Sequence, residues 1–100
     1  MFSKSHLESR YRTSRGFMYS PFDLTVELLG AIAKTLVDHP EEVHVHAVQG
    51  QGVTMLELRV HPKDIGQVIG YHGRIVEALR TILGAAGMRL HKRIRVEILD

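Results

Sequence analysis

The sequence predicts one two-layer α+β domain, in which three helices cover one face of a three-stranded mixed sheet in the order α-β-β-α-α-β. Three observations carry that expectation. Apolar residues recur at helical spacing before Pro40 and again after Gly73, and they alternate with polar ones over 43–48, 55–60 and 93–98. The two helical stretches between the last two strands are together long enough for a parallel crossover, whereas the first two strands are joined by a short turn and should form a hairpin.

The first helix opens at Ser20-Pro21-Phe22-Asp23, with Ser20 as N-cap, Pro21 at the first helical position and Asp23 as the returning carboxylate of a capping box. Val26, Leu29, Ala33 and Leu36, with Ile32 alongside, form its apolar stripe and are expected in the core. Pro40 should end it near His39. Gly30 inside it costs roughly 1 kcal/mol against alanine, which suggests close packing on a neighbour.

From Val43 the period becomes two, with Val43, Val45 and Ala47 alternating against His44, His46 and Val48. Gln49-Gly50-Gln51-Gly52 turns the chain into a second strand that sets Leu56, Leu58 and Val60 against Met55, Glu57 and Arg59. Pro62 opens a short helix carrying Ile65, Val68 and Ile69. Ile75, Leu79, Ile82 and Ala86 mark the buried side of the last helix, Gly87 is a candidate stop, and Ile94, Val96 and Ile98 face inward on the final strand.

Residues 1–19 are rich in Ser, Arg and Tyr, lack sustained periodicity and hold no secretory apolar stretch, so they are expected to be a mobile basic tail ahead of a domain over residues 20–100. Three accounts of the tail stay open: an arm that adds affinity for phosphates, a transit peptide, or a misassigned start with Met18 as the first residue. The last is favoured, because a complete folding signal follows Met18.

With no cysteine among 100 residues the fold cannot rest on disulfides, and a reducing compartment is permitted. No apolar run approaches the roughly 18 residues of a membrane span, so a soluble protein is expected. The net charge of +2 is small, but it is unevenly placed. Residues 21–58 are acidic overall, whereas Arg59, Lys63, Arg74, Arg80, Arg89, Lys92, Arg93 and Arg95 outnumber Asp64 and Glu77 around a glycine turn. Solvated faces of ordinary elements would give the same pattern.

That turn, Val68-Ile69-Gly70-Tyr71-His72-Gly73-Arg74, sets two glycines three apart at the start of a helix. Glycines permit positive φ and close backbone approach, and a helix N-terminus with Arg74 beside it suits a phosphate oxygen. The spacing alone is weak evidence; its flanks make it specific.

Strand, short helix, V-I-G-x-x-G, helix and strand resemble the core of a KH domain, and the helix and strand ahead of them resemble the type II arrangement of bacterial KH proteins. The segment Leu36–Val43, Leu-Val-Asp-x-Pro-Glu-Glu-Val, is similar to the small single-KH proteins of the KhpA family. So are the Leu-Glu-Leu-x-Val strand from Leu56 to Val60 and the Gly73-Arg74-Ile75 that precedes Leu79-Arg80-Thr81. The resemblance implies a cytoplasmic single-stranded RNA-binding protein, acting as a homodimer or with a larger KhpB-like KH protein. It also implies links to small-RNA biology, as a chaperone or post-transcriptional regulator, and to cell shape.

A KH loop clamps the backbone of about four nucleotides while bases lie in an apolar groove. The resemblance places that clamp at Gly70, Tyr71, His72 and Gly73, makes Ile65, Val68 and Ile69 candidates for the groove floor, and has Arg74 pair with phosphate. Lys63 and Arg80 are further candidates. Core packing is the competing reading for the three apolar residues. Tyr71-His72 departs from the family, where a Lys or Arg is usual in the loop. Tyr71 can stack on a base, and His72 can donate to phosphate more strongly when protonated, which implies tighter binding at about pH 6 than at about pH 8.

His44-x-His46 puts two imidazoles on one strand face, but two ligands do not make a metal site, and no metal or other cofactor is expected. The glycine turn lacks the Lys-Ser/Thr of a P-loop and the G-x-G-x-x-G of a dinucleotide fold, and no nucleophile–base pattern stands out, so no enzyme is expected. The rival to RNA binding is an interaction module that uses the fold mainly to dimerise, which would suit so small a core.

Overall fold

The computed structural model describes residues 12–13, 16–17 and 21–100, with side chains from residue 24 onward. Strands β1 (Arg12–Thr13) and β2 (Gly16–Phe17) pair antiparallel, Arg12 opposite Phe17 and Thr13 opposite Gly16. The remainder of the expected tail and the Ser20 cap lie outside the described residues. Helix α1 (Pro21–Leu36) leads through a 3₁₀ turn (Pro40–Glu42) to β3 (His44–Gln49) and β4 (Val53–Arg59). A second 3₁₀ turn (Pro62–Asp64) runs into α2 (Ile65–Ile69), a third (Tyr71–Gly73) into α3 (Arg74–Arg89), and β5 (Arg93–Leu99) closes the domain.

The sheet order is β3-β4-β5, with β3 antiparallel and β5 parallel to β4, so the mixed sheet expected from the connection lengths is present. Register follows the apolar alternation: Ala47 lies opposite Leu56, and Leu56 opposite Val96. A slip of one residue would turn Leu56, Leu58, Ile94 and Val96 out of the core, where they pack with Leu29, Ala33, Val68, Leu79 and Leu83. Full burial is worth about 1.5–3 kcal/mol for each such leucine, which makes the register costly to change. His44, His46, Arg59, Arg93 and Arg95 occupy the other, exposed face.

Helix α1 stops at Leu36 rather than near His39. Pro40 explains the difference, because a proline ring clashes with the carbonyl four residues earlier, which is that of Leu36, as well as biasing the residue before it. Leu36 itself is only half-buried and lies outside the core, unlike Leu29 and Ala33. Gly30 is not forced by close packing: a Cβ there would meet Val45 Cγ2 at 3.7 Å, an ordinary contact.

The buried side of α3 is Val76, Leu79, Leu83 and Gly87, with Ile75 packed partly against the core. Ile82, expected inside, is 48% exposed. Nor does Gly87 stop the helix, which continues to Arg89. The stop is a Schellman arrangement in which Lys92 N–H donates to the Gly87 carbonyl (2.8 Å) and His91 N–H to that of Met88 (3.1 Å), with His91 at φ 58°.

Candidate nucleic-acid interface

The loop between α2 and α3 is built by backbone conformation. Gly70 (φ 80°), His72 (φ 54°) and Gly73 (φ 75°) all take positive φ, the two later ones in the left-handed helical region. Gly70 is constrained twice, since a Cβ there would lie 2.6 Å from Ile75 Cγ1 and 2.9 Å from the Ile75 backbone nitrogen. Gly73 has room for a side chain and is required by its φ alone. Gly70 N–H donates to the Gly66 carbonyl (2.9 Å) and Gly73 N–H to that of Gly70 (3.0 Å), closing the turn. The Arg74 N–H donates to the Tyr71 carbonyl.

This chain path pushes side chains outward. Tyr71 is 77% exposed, and its ring meets that of His72 edge-on with centroids 4.1 Å apart. Arg74 is exposed on the first turn of α3 and, among the described residues, has no ion-pair partner. The loop therefore offers a ring, an imidazole and a guanidinium side by side, the groups that can stack on a base and meet phosphate.

The flanking residues divide. Ile69 is partly exposed beside the loop and Ile65 half-buried, so both can border a groove. Val68 is 0% exposed and sits in the core, which removes it from the groove floor and makes it the anchor beneath α2. Lys63 is exposed at the far end of α2 and free of ion pairs among the described residues. Arg80 is engaged rather than free, donating from Nη1 to Glu77 Oε2 (3.0 Å) and from Nε to the Val96 carbonyl (3.4 Å). Its charge is partly answered by Glu77, though so exposed a pair adds little stability.

One cluster at the start of α2, the end away from the loop, has no counterpart among the sequence expectations. Asp64, 1% exposed, accepts at Oδ2 from the His39 backbone N–H (3.0 Å) and meets His39 Nδ1 at 2.9 Å, which joins the α1–β3 link to the start of α2. The His39 ring stacks on His61 at 4.0 Å between centroids. His61 Nδ1 accepts from Lys63 N–H (3.0 Å), and its Nε2 lies 3.9 Å from Glu42. The bond to Asp64 holds the His39 imidazole above its usual range, against the smaller opposing effect of desolvation. Burial by itself would push the Asp64 carboxyl up, but the His39 bonds outweigh it and hold it below the usual carboxylate range. The only local signal for this cluster is Asp64 two residues after Pro62; its partner is 25 positions away.

Among the described residues, no three His, Asp or Glu side chains are placed to hold a metal ion. No described helix is long and apolar enough to cross a membrane.

A sequence model of the KhpA/KhpB KH domain matches residues 26–98. The chain belongs to the KhpA/KhpB KH-domain family. The RNA-binding protein KhpA of Clostridium perfringens is 51% identical over 73 residues, 73% of this chain and 97% of that protein. KhpA of Borreliella burgdorferi is 45% identical over 75 residues, 75% of this chain and 92% of that protein. KhpA of Aquifex aeolicus is 45% identical over 74 residues, 74% of this chain and 94% of that protein. No solved structure matches the chain. The KhpA/KhpB match takes in the glycine loop, the three-stranded sheet as far as Ile98 and all of the helical layer except residues 21–25 of α1.

Proposed function

We propose that this KhpA/KhpB-family chain binds single-stranded RNA, gripping the sugar-phosphate backbone with the Gly70–Gly73 loop. The observation that carries the reading is the loop itself, whose left-handed backbone turns Tyr71, His72 and Arg74 into solvent at the head of a sixteen-residue helix. Arg74 pairs with a phosphate, Tyr71 stacks on a base, and Ile65 and Ile69 border the groove into which neighbouring bases fall. Relatives named as RNA-binding proteins support the class of ligand. Lys63 supplies an outer phosphate contact, and Arg80 joins only if it leaves Glu77. The role is binding rather than catalysis, in the cytoplasm, and the family resemblance extends it to RNA chaperoning or post-transcriptional control and to cell shape.

Titration into short labelled RNA tests it: affinity should fall with salt as expected for roughly 2 to 4 phosphate contacts, and a salt-independent affinity would contradict it. Binding should be tighter at about pH 6 than at about pH 8, and His72→Asn should reduce that difference. A difference left whole would take the proton-dependent role from His72.

A second reading, a homodimer or a pairing with a larger KhpB-like protein, draws on the exposed Leu24, Leu28, Ile82 and Met88. Such burial would stabilise so small a domain and is compatible with RNA binding. Sedimentation across a protein-concentration series separates the two, since dimerisation should tolerate changes to the loop.

A further inference from the structure

We infer that His39 and Asp64 are positioning residues for the RNA clamp, tying the first turn of α2 to the α1–β3 link so that the Gly70–Gly73 loop is held in its gripping geometry; this rests on the RNA-binding reading above.

Helix α2 has only five residues, far below the roughly 12–15 at which a helix is even marginally stable alone, so its orientation comes from outside. Val68, its one fully buried side chain, fixes its depth in the core. Ile65 packs partly against the same core, and the further constraint is polar. Asp64 reaches His39, and Gln67 Nε2 reaches Asp38 Oδ2 at 3.4 Å, so two ties three residues apart run to adjacent residues of one link. The Asp64 tie is the stronger, because its carboxylate is buried and hydrogen-bonded to a group that can carry charge. Asp64 Oδ1 is buried without a hydrogen-bond partner among the described residues, so loss of the His39 imidazole would leave the carboxylate only backbone N–H donors to offset its desolvation.

The His39 ring faces Asp64, the stacked His61, and Glu41 and Glu42 of the 3₁₀ turn, while the Asp38 backbone N–H also favours the ionised Asp64. Since His61 Nδ1 accepts from Lys63 N–H, a proton on that ring belongs at Nε2, toward Glu42. Protonated His39 against ionised Asp64 is therefore the tightest state. As pH rises His39 keeps a hydrogen bond through Nδ1–H but loses the charge, and α2 is held less firmly.

The test uses the full chain in a His72→Asn background, which removes the loop imidazole, with RNA affinity measured from about pH 5.5 to about pH 8.5. The parent should bind less tightly as pH rises. His39→Asn keeps an N–H donor without a titrating ring, so it should bind near the parent's high-pH level with no such trend. His39→Leu should bind about 2- to 10-fold more weakly than His39→Asn at every pH, the range expected for one net hydrogen bond. Circular dichroism and melting temperature are followed alongside. If both His39 variants melt at lower temperature yet bind as the parent does at every pH, the pair is structural only and the inference fails. If Tyr71→Asp/His72→Asp abolishes binding while the His39 variants leave it unchanged, the clamp stands and the positioning role falls. No binding by the unsubstituted chain overturns both; binding by that chain with none by the His72→Asn parent keeps the clamp, and the His39 comparison is then read in the unsubstituted background.

Discussion

Gly87 passes so close beneath Lys92 that a Cβ at that position would stand 2.6 Å from the Lys92 carbonyl oxygen, with the Ile94 backbone nitrogen 3.3 Å away. Three residues earlier on the same helix, a Cβ on Gly84 would meet nothing within 4 Å. The two glycines should therefore respond oppositely to alanine. Gly84→Ala should stabilise by about 0.5–1 kcal/mol through helix propensity and a less flexible unfolded chain. Gly87→Ala should destabilise by about 1–3 kcal/mol, because the nearest obstructing atom is the Lys92 backbone carbonyl oxygen, which cannot step aside. Urea unfolding of both variants checks the pair, and a shift of the same sign would contradict the close approach.

His91 fills a place in the Schellman stop where glycine is the common residue, and its φ of 58° is costly for a residue with a Cβ. His91→Gly should raise stability by about 0.5–1 kcal/mol, which for a domain of this size lifts the melting temperature by several degrees. Differential scanning calorimetry reads that shift directly, and a lower melting temperature would count against it.

In the glycine loop, Gly70 and Gly73 should differ in what they tolerate. Gly73→Asn should fold with a loss of no more than about 1 kcal/mol, since asparagine accepts the left-handed region and the position has room. Gly70→Ala should cost about 1–3 kcal/mol or more, from positive φ and the clash with Ile75 together. Thermal melts of the two variants test the ordering.

Stability should depend on pH through His39 and Asp64 from both sides. His39 holds its proton more tightly when folded, so its contribution is complete below the ordinary imidazole range and fades as pH rises through its raised folded value. Asp64, held low, contributes above the ordinary carboxylate range and loses that contribution as pH falls through its folded value. Melting temperature across pH should be highest between those limits, and His39→Asn should flatten the alkaline side. An unchanged alkaline slope would remove His39 as its source.

Much of this fold was legible because period and connection length are local. Leu56 and Leu58 alternate on β4, and the sequence between β4 and β5 is long enough for the crossover. The core side of α3 was less legible: Ile82 and Leu83 are adjacent and similarly apolar, and only tertiary packing puts Leu83 in the core and leaves Ile82 exposed. The glycine loop announced itself by spacing, but that Gly70 is barred by Ile75 while Gly73 is required by φ alone is a tertiary fact. His39 and Asp64 were beyond sequence reading, since hydrogen-bonding partners in separate elements leave no periodicity.

The central claim is that Gly70–Gly73 grips RNA, and the most direct measurement titrates labelled single-stranded RNA with the chain and with its Tyr71→Asp/His72→Asp variant, each with and without residues 1–17. Aspartate tolerates the positive φ of His72, and both side chains are exposed, so the variant should fold, as circular dichroism would verify. Two carboxylates at the clamp should repel phosphate and abolish binding whether or not the first residues are present. Equal binding by the folded variant would contradict the claim and move the RNA contact to the N-terminal segment or to the basic strand β5.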